Sequence, residues 1–195
     1  MRIFVAGASG VIGIRLVPLL VSAGHEVEAM TRSPHKADAL RALGARPVVC
    51  DVYDRDALVG AVVALAPDTV LHQLTDLPDA KRDLSPIGLA NARIRREGTD
   101  NLLAAVCAAE VTRFLAQSVA WRPEGASAAA VAYLEEATLA VGGVVLRYGR
   151  FYGPGTWYED ELPAPPRIWV EEAARRTVAA LEAPSGVLTI VEEPW

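Results

Sequence analysis

Hydrophobic and polar positions change period repeatedly along this chain, and the changes predict strands that alternate with helices. Continuous apolar runs of strand length are followed by longer segments in which apolar residues recur every three or four positions. The predicted strands span residues 2–6, 25–30, 46–50, 68–74, 112–118, 144–149 and 186–193. The predicted helices span residues 11–23, 35–43, 90–109, 127–140 and 169–183, with a further helix that Asp54 caps and that runs to Leu65.

Strands separated by helices at this spacing are typical of βαβ units, whose crossovers are right-handed and whose sheet is parallel. Strands that are apolar throughout are buried on both faces, so helices must cover both sides of the sheet. A chain of 195 residues, of which 52% are hydrophobic, can bury one sizeable core. The sequence therefore predicts one α/β domain over residues 1–195, built on a doubly wound, mainly parallel sheet.

Charge and composition exclude several classes of partner. The net charge of −5 argues against nucleic acid, because a phosphate-binding face needs clustered Lys and Arg. The longest basic cluster, residues 93–96, is followed by Glu97 and is interpreted as a solvated helix face. Cys50 and Cys107 lie far apart in apolar segments, which indicates buried inert thiols and no metal site. The chain opens on a strand, and no apolar run reaches the ~18 residues of a membrane span, so we expect no membrane partner and a cytoplasmic location.

The sequence GASGVIG, residues 7–13, follows the first predicted strand and opens the first predicted helix. In such a loop the first glycine allows a tight turn, the second lets the backbone approach a pyrophosphate, and the third lets the helix pack against the sheet. The anion then binds free N–H groups at the helix N-terminus. The alternative is a glycine-rich turn without a ligand. We expect a dinucleotide to contact Gly7, Ser9, Gly10, Val11, Ile12 and Gly13.

The spacing GxxGxxG resembles that of the short-chain dehydrogenase/reductase superfamily, in particular its extended or atypical branch, which includes the NAD-dependent epimerase/dehydratases. Four further stretches resemble this branch: Asp51-Val52, VLHQLT (70–75), REGTDNLLAA (96–105) and LRYGRFYGPG (146–155). The resemblance spans nearly the whole chain and implies a Rossmann fold. It also implies cofactor contacts at the ends of the third and fourth predicted strands, namely Asp51, Val52, Gln73, Leu74 and Thr75.

The end of the second predicted strand bears on the choice of nucleotide. NAD-preferring proteins of this fold place a carboxylate there, on the ribose 2′-hydroxyl. This chain has Thr31 and Arg32, with Lys36 shortly after. A guanidinium suits a 2′-phosphate, so NADP is favoured over NAD as the cofactor. The alternative is a solvent-facing arginine that binds no ligand.

The resemblance implies a catalytic tyrosine, a lysine four residues later that lowers the pKa of the tyrosine, and a serine that holds the substrate oxygen. Ser118 falls near the serine position, although an offset of one would place Val119 there. Tyr133 falls on the expected helix, but Ala137 replaces the lysine, and no lysine follows Lys81. An unaided phenol has a pKa of about 10 and is a poor base at pH 7.

Other side chains then compete for the acid–base role. Tyr133 is a candidate catalyst or a plain packing residue of its helix. Tyr148, near the end of the sixth predicted strand, and Tyr152, just after it, are alternative acids. His72 ends the fourth predicted strand and is interpreted as a core histidine whose hydrogen bonds are satisfied within the protein.

These features favour an atypical NADP(H)-dependent oxidoreductase or epimerase that acts without the usual tyrosine–lysine pair. The alternative is a dinucleotide-binding protein without redox turnover, such as a regulator or a non-redox tailoring enzyme. Aromatic residues cluster after the fifth and sixth predicted strands, where an open α/β sheet binds ligands. They indicate a small hydrophobic or aromatic carbonyl or hydroxyl substrate, unless they only pack under a short lobe: Trp121, Tyr148, Phe151, Tyr152, Trp157 and Tyr158.

Two segments are shorter than the resemblance implies. One joins Ser118 to Tyr133, and the other leads from Gly155 to the last predicted helix. Residues 151–195 are therefore expected to form a reduced substrate lobe, with the PAPP run at 163–166 as an extended connector. Either the lobe is naturally small, or flexible loops and the C-terminus are missing from this sequence. The resemblance also suggests a homodimer through the helices at 90–109 and 127–140.

Overall fold

The computed structural model describes residues 1–77 and 87–192. Within this part, seven strands form one parallel sheet in the order β3-β2-β1-β4-β5-β6-β9, and β7 and β8 form a separate parallel pair. The order reverses between β1 and β4, which opens a crevice at the carboxyl ends of the strands. The strands are β1 (Arg2–Ala6), β2 (Glu26–Thr31), β3 (Arg46–Val49), β4 (Thr69–His72), β5 (Arg113–Val119), β6 (Val144–Tyr148), β7 (Arg150–Tyr152), β8 (Arg167–Trp169) and β9 (Gly186–Ile190).

The helices are α1 (Gly13–Ser22), α2 (Ala37–Ala42), α3 (Arg55–Leu65), α4 (Ile87–Arg93), α5 (Thr99–Ala108), α6 (Gly125–Ala140) and α7 (Val170–Ala179). On one face of the sheet α1 packs with α7, and α3, α5 and α6 cover the other face. Alternate residues of β1 show why both faces need cover. Ile3 and Val5 enter the core beneath α1, whereas Phe4 and Ala6 enter the core beneath α3 and α5. All four side chains are fully buried, so the predicted two-sided sheet is confirmed.

Most predicted elements are confirmed within one or two residues, but the long helix predicted over 90–109 is interrupted. A π-helical turn spans Ile94–Gly98, between the end of α4 and the start of α5. The apolar spacing on either side stays helical, so the sequence pattern does not reveal the turn. The predicted cap of α3 is confirmed, because Asp54 Oδ1 accepts a hydrogen bond from the amide of Ala57 at 3.1 Å.

The C-terminal part departs more from the prediction. The strands β7 and β8 have three residues each, too few to show a period, and the sequence does not predict them. The last predicted helix is α7 followed by a 3₁₀ turn over Ala180–Glu182. The last predicted strand ends at Ile190, and Glu193 lies outside the described residues. The PAPP run at 163–166 contains neither helix nor strand, as the sequence predicts.

The two cysteines differ in environment. Cys50 is buried, but Cys107 is exposed, so the expectation of two buried thiols is wrong for Cys107. The buried face of α5 carries Leu102, Ala105 and Val106, and the next position along the helix turns outward.

In the described part of the chain, no helix is both long and apolar enough to cross a bilayer. The same part contains no group of three or more His, Cys, Asp or Glu side chains placed to share a metal ion.

Candidate functional site

A cavity of about 740 Å³ opens at the carboxyl ends of the strands. Its described lining comes from the loops that follow β1, β2, β3, β4, β5 and β6, together with the π turn. The cavity therefore occupies the position where an open α/β sheet binds ligands. One end holds the glycine loop, and the other end holds Ser118 and a set of aromatic side chains.

The glycine loop packs tightly against its neighbours. Gly7 has a φ of +91°, and a Cβ there would lie 2.6 Å from the backbone oxygen of Gln73. In the part of the chain that the structure describes, the backbone amides of Val11, Ile12 and Gly13 have no backbone acceptor. Free N–H groups at the start of a helix such as α1 are a ready site for an anion.

The polar side chains at the end of β2 differ in burial and in their partners. Thr31 is buried, and its Oγ1 hydrogen-bonds to Ser9 Oγ at 2.9 Å and to the amide of Ser33 at 3.2 Å. It therefore ties the glycine loop to the next loop. Arg32 lines the cavity, is largely exposed, and makes an ion pair with Asp76 at 3.0 Å. Lys36 also lines the cavity, so the lining after β2 contains two cationic side chains.

The loop after β3 places Asp51 and Val52 in the cavity lining. The side-chain amide of Asn101, on α5, donates a hydrogen bond to the carbonyl oxygen of Val52 at 2.9 Å. This contact explains why the REGTDNLLAA stretch matters to the site although most of it lies in a covering helix. The loop after β4 contributes Gln73, Leu74 and Thr75 to the lining.

His72 is a satisfied core histidine, as the sequence predicts. Its Nδ1 accepts a hydrogen bond from the amide of Leu74 at 3.2 Å, so its Nε2 carries the proton toward Thr99 Oγ1 at 3.1 Å. The hydroxyl of Thr99 in turn donates to the carbonyl oxygen of Arg95. Burial, assisted by the charge of Arg95, lowers the pKa of His72 to about 3. The ring is therefore neutral at pH 7 and fixes the π turn onto β4.

Ser118 lines the cavity and is held from behind by a carboxylate that the sequence analysis missed. Its hydroxyl donates a hydrogen bond to Glu135 Oε1 at 2.5 Å. The guanidinium of Arg147 binds both oxygens of the same carboxylate, at 2.9 and 2.5 Å. Although burial opposes ionisation, these hydrogen bonds lower the pKa of Glu135. The hydroxyl hydrogen of Ser118 therefore points to Glu135, and the lone pairs of its oxygen are free to face the cavity.

Tyr133 is not among the described residues that line the cavity. Its hydroxyl donates to Asp100 Oδ1 at 2.5 Å, and the guanidinium of Arg96 lies 5.3 Å from the centre of its ring. The carboxylate raises the pKa of Tyr133, which is the opposite of what a general base needs. The structure thus brings Ser118 to the cavity and leaves Tyr133 on another face of α6.

The two alternative tyrosines are also engaged elsewhere. Tyr148 lines the cavity but is 1% exposed, and its hydroxyl lies 2.6 Å from Thr177 Oγ1 on α7. The hydroxyl of Thr177 donates to the carbonyl oxygen of Ala173, so Tyr148 is the donor to Thr177. Burial raises the pKa of Tyr148 far above its ordinary value. Tyr152 is not part of the described lining, and its hydroxyl binds Glu192.

Arg95 corrects the interpretation of the basic cluster. Residues Arg93 and Arg96 are exposed as expected, but Arg95 is only 5% exposed and lines the cavity. Arg95 lies four positions after Asn91 and three before Gly98, both of which are buried, so helical spacing places it on their face. Arg93, two positions earlier, lies about 200° away and is exposed. The interpretation was wrong because it treated the whole cluster as one solvated face; a π turn such as this one occurs frequently at functional sites.

Most of the predicted aromatic set does line the substrate end of the cavity. Phe151, Trp157 and Tyr158 approach from the segment after β6, and Trp121 from the segment after β5. The guanidinium of Arg150 lies 4.9 Å from the centre of the Trp121 ring. The cavity therefore combines an aromatic wall with cationic side chains.

Comparisons with known proteins agree with this architecture. A sequence profile for proteins described as NAD(P)H-binding matches residues 7–133. The chain is 37% identical over 237 aligned positions to the 3-diazoavenalumate denitrifying reductase of a Streptomyces species, and the match covers 99% of this chain and 76% of the relative. It is 33% identical over 115 positions to the 4-hydroxy-2-methyl-3-oxo-4-farnesyl-3,4-dihydroquinoline-1-oxide ketoreductase of Stigmatella aurantiaca, covering 59% of this chain and 32% of that protein.

A solved structure extends the comparison to the whole fold. The UDP-glucose 4-epimerase of Thermus thermophilus in complex with NAD matches with a TM-score of 0.79 and 20% identity, over 100% of this chain and 78% of that one. At this identity the likeness shows the fold alone, and the predicted Rossmann fold is confirmed.

The alignment with the Streptomyces reductase exceeds the 195 residues of this chain by 42 positions. At least 42 residues of that relative therefore have no counterpart here.

Proposed function

We propose that this chain, which belongs to the NAD(P)H-binding family of Rossmann-fold proteins, is an NADP(H)-dependent reductase of a small hydrophobic or aromatic substrate. The observation that carries the proposal is the single cavity that runs from the glycine loop to Ser118 and the aromatic wall. Such a cavity can hold a dinucleotide and a substrate in contact with each other. Two relatives with reductase names support the reaction class.

The residues at the nucleotide end fit a dinucleotide. The free amides of Val11, Ile12 and Gly13 would hold the pyrophosphate at the start of α1. Gly7 adds to this fit, because its φ of +91° and the 2.6 Å from its would-be Cβ to the backbone oxygen of Gln73 keep the loop free of a side chain at the point where a pyrophosphate would approach. Asp51 would lie beside the adenosine. When bound, the nicotinamide supplies the hydride that the substrate accepts.

Ser118 would orient the substrate. Because its hydroxyl donates a hydrogen bond to Glu135, the lone pairs of the oxygen can accept a hydrogen bond from an O–H or N–H group of the substrate. Glu135 and Arg147 act as positioning residues that keep the serine hydroxyl in this orientation. Neither Tyr133 nor Tyr148 has the lowered pKa that a general acid–base tyrosine needs.

The Streptomyces relative favours a second candidate, reductive removal of a diazo group. That protein is named for denitrification of 3-diazoavenalumate, and it matches nearly the whole of this chain. A diazonium group is electrophilic at its terminal nitrogen without prior protonation, so it can accept a hydride where no protein acid is available. Addition of the hydride to the terminal nitrogen would give an aryldiazene, Ar–N=N–H. Loss of its N–H proton and cleavage of the C–N bond would then release dinitrogen. The electron pair of the C–N bond would stay on the ring carbon, which would take up a proton, so the product would be the arene.

One titration and one panel of substrates test both candidates. Binding of NADPH and NADH is followed by the fluorescence of the nicotinamide, and oxidation by the loss of its absorbance. The panel contains aromatic aldehydes, aromatic ketones and an aryldiazonium salt, each with an enzyme-free control. Oxidation of NADPH with a carbonyl compound supports the first candidate, and release of one dinitrogen for each NADPH consumed supports the second. Binding without oxidation would favour a dinucleotide-binding protein without redox turnover, and failure to bind either nucleotide would overturn the proposal.

Arg32→Glu should weaken NADPH binding at least about 10-fold and leave NADH binding nearly unchanged. We propose that Arg32 binds the 2′-phosphate, with Lys36 nearby, because β2 ends without a carboxylate. The substitution replaces a charge-assisted hydrogen bond with repulsion. Dissociation constants for both nucleotides, measured at one ionic strength, give the ratio that checks this prediction.

The matched control for Arg32→Glu is Asp76→Asn. Asp76 makes the ion pair with Arg32, so its neutralisation frees the guanidinium and should preserve or tighten NADPH binding. An equal loss of NADPH and NADH affinity in Arg32→Glu would contradict the preference for NADP. The homodimer suggested by the sequence stays a prediction.

A further inference from the structure

Arg95 is a buried cation in the wall of the cavity. It belongs to the π turn at 94–98, and 5% of its surface is exposed. Arginine stays protonated in proteins, and a buried charge without a partner strongly destabilises the folded state. A side chain with this character needs either a partner within the protein or a partner that arrives with a ligand.

The described part of the chain offers Arg95 no direct partner. Its guanidinium makes no hydrogen bond or ion pair there. The negative charge of Glu135 nevertheless acts on it and favours its protonated form. That carboxylate is already bound through both oxygens by Arg147, and Ser118 donates to it as well. His72 is neutral, so it does not change the balance of charge around Arg95. One carboxylate faces two guanidinium groups, so this end of the cavity has an excess of positive charge.

A second cation lines the same cavity. Arg150 lines the cavity, stacks near Trp121, and donates to the carbonyl oxygens of Ala164 and Pro165. These acceptors are uncharged, so they leave its positive charge uncompensated. The cavity thus pairs two cationic groups with an aromatic surface.

We propose that Arg95 binds the carboxylate of the substrate, and that the substrate is an aromatic or similarly apolar organic acid. The inference rests on the proposed function of the same cavity, and it narrows the substrate class. A planar guanidinium matches a carboxylate through two parallel hydrogen bonds. A phosphate or sugar nucleotide would suit this end less well, because the free helix N-terminus lies at the glycine loop instead. Phe151 and Trp157 would cover the apolar body of the acid.

The test measures binding of redox-inert acids, so that it does not depend on turnover. The probes are benzoate, trans-cinnamate and 4-hydroxycinnamate, each compared with its methyl ester by calorimetry, with and without saturating NADPH. We expect at least one acid to bind the wild-type protein about 10-fold more tightly than its ester. Arg95→Met should abolish this difference, leave the affinity of the ester unchanged, and leave the NADPH dissociation constant unchanged.

Two variants separate binding from folding. Arg96→Met removes a neighbouring arginine of the same π turn that is exposed and lies over Tyr133, and it should keep the preference for the acid. Arg95→Met should also unfold at a higher urea concentration than the wild type, because it removes an uncompensated buried charge. A structural role for Arg95 predicts the reverse.

The outcomes are distinct for the two proposals. Equal affinity for every acid and its ester in the wild type, or a preference for the acid that survives Arg95→Met, would overturn the carboxylate site. Loss of stability in Arg95→Met together with weaker ester binding would also overturn it, since Arg95 would then support the fold. Failure of NADPH to bind would overturn the proposed function, while the acid measurements without nucleotide would still decide the role of Arg95.

Discussion

Gly13→Ala is expected to lower the affinity for NADPH at least about 100-fold, because the added methyl group has no space between the glycine loop and α1. A Cβ at this position would lie 2.5 Å from the carbonyl oxygen of Ala8 and 2.6 Å from its carbonyl carbon. These are backbone atoms, so the loop itself must move. Movement would take the free amides of Val11 and Ile12 away from the pyrophosphate. Each charge-assisted hydrogen bond that is lost costs roughly 1.5–3 kcal/mol, and fluorescence titration with NADPH measures the sum.

Gly60→Ala is the matched control for Gly13→Ala. Gly60 is exposed within α3, and a Cβ there would meet no atom within 4 Å. The same chemical change should therefore leave NADPH binding unaltered and stabilise the helix by roughly 0.5–1 kcal/mol. Circular dichroism establishes that both variants are folded before affinities are compared. A folded Gly13→Ala protein with wild-type affinity would show that the loop does not need this glycine to hold the nucleotide.

The fold and the geometry of the glycine loop could be predicted because their signals are local in sequence. A run such as residues 2–6 is apolar at every position, and the structure buries alternate side chains on opposite faces of the sheet. The glycine loop places its turn, its close approach and its helix start within seven residues. Each of these properties depends on the residue itself and on its immediate neighbours, so the sequence pattern was sufficient.

The orientation of Tyr133 could not be predicted, because the sequence does not show which face of α6 meets the sheet. Tyr133 and Glu135 are two positions apart, which on a helix of 3.6 residues per turn is about 200°. Since Glu135 meets Ser118, Tyr133 must face away from the cavity. Ala137 lies four positions after Tyr133 and so shares its face. Ala137, where the resemblance implies a lysine, therefore does not face the cavity in this chain, and neither it nor Tyr133 is part of the described lining.

The inward position of Arg95 depends on contacts that are distant in sequence. The π turn is held through Thr99 by His72, which ends β4 more than twenty residues earlier. A basic cluster is normally solvated, and that expectation holds for its neighbours Arg93 and Arg96. Helical spacing already sets Arg95 about 200° from Arg93, so the prediction missed it because it treated the cluster as one face, and the docking of the turn onto the sheet is what brings that face to the cavity.

His72 should cause a loss of about 2 kcal/mol in the free energy of unfolding between pH 7 and pH 5. Its pKa is about 3 in the folded protein because it is buried, whereas an unfolded histidine titrates near pH 6.5. Below pH 6.5 the unfolded chain therefore binds a proton that the folded chain does not. Stability is fully present above pH 6.5 and falls as the pH approaches 3, by about 1.4 kcal/mol for each unit.

Urea unfolding at pH 7 and pH 5 measures this contribution. His72→Gln cannot titrate, so its free energy of unfolding should fall by about 2 kcal/mol less than that of the wild type over the same interval. His35→Gln is the matched control, because His35 is exposed in the turn after β2, and its pH dependence should follow the wild type. The lowered pKa of Glu135 affects stability only below about pH 4.3, outside the interval. If His72→Gln and the wild type lose the same stability between pH 7 and pH 5, His72 is protonated within the folded protein. The conclusion that a neutral His72 ring fixes the π turn would then be wrong.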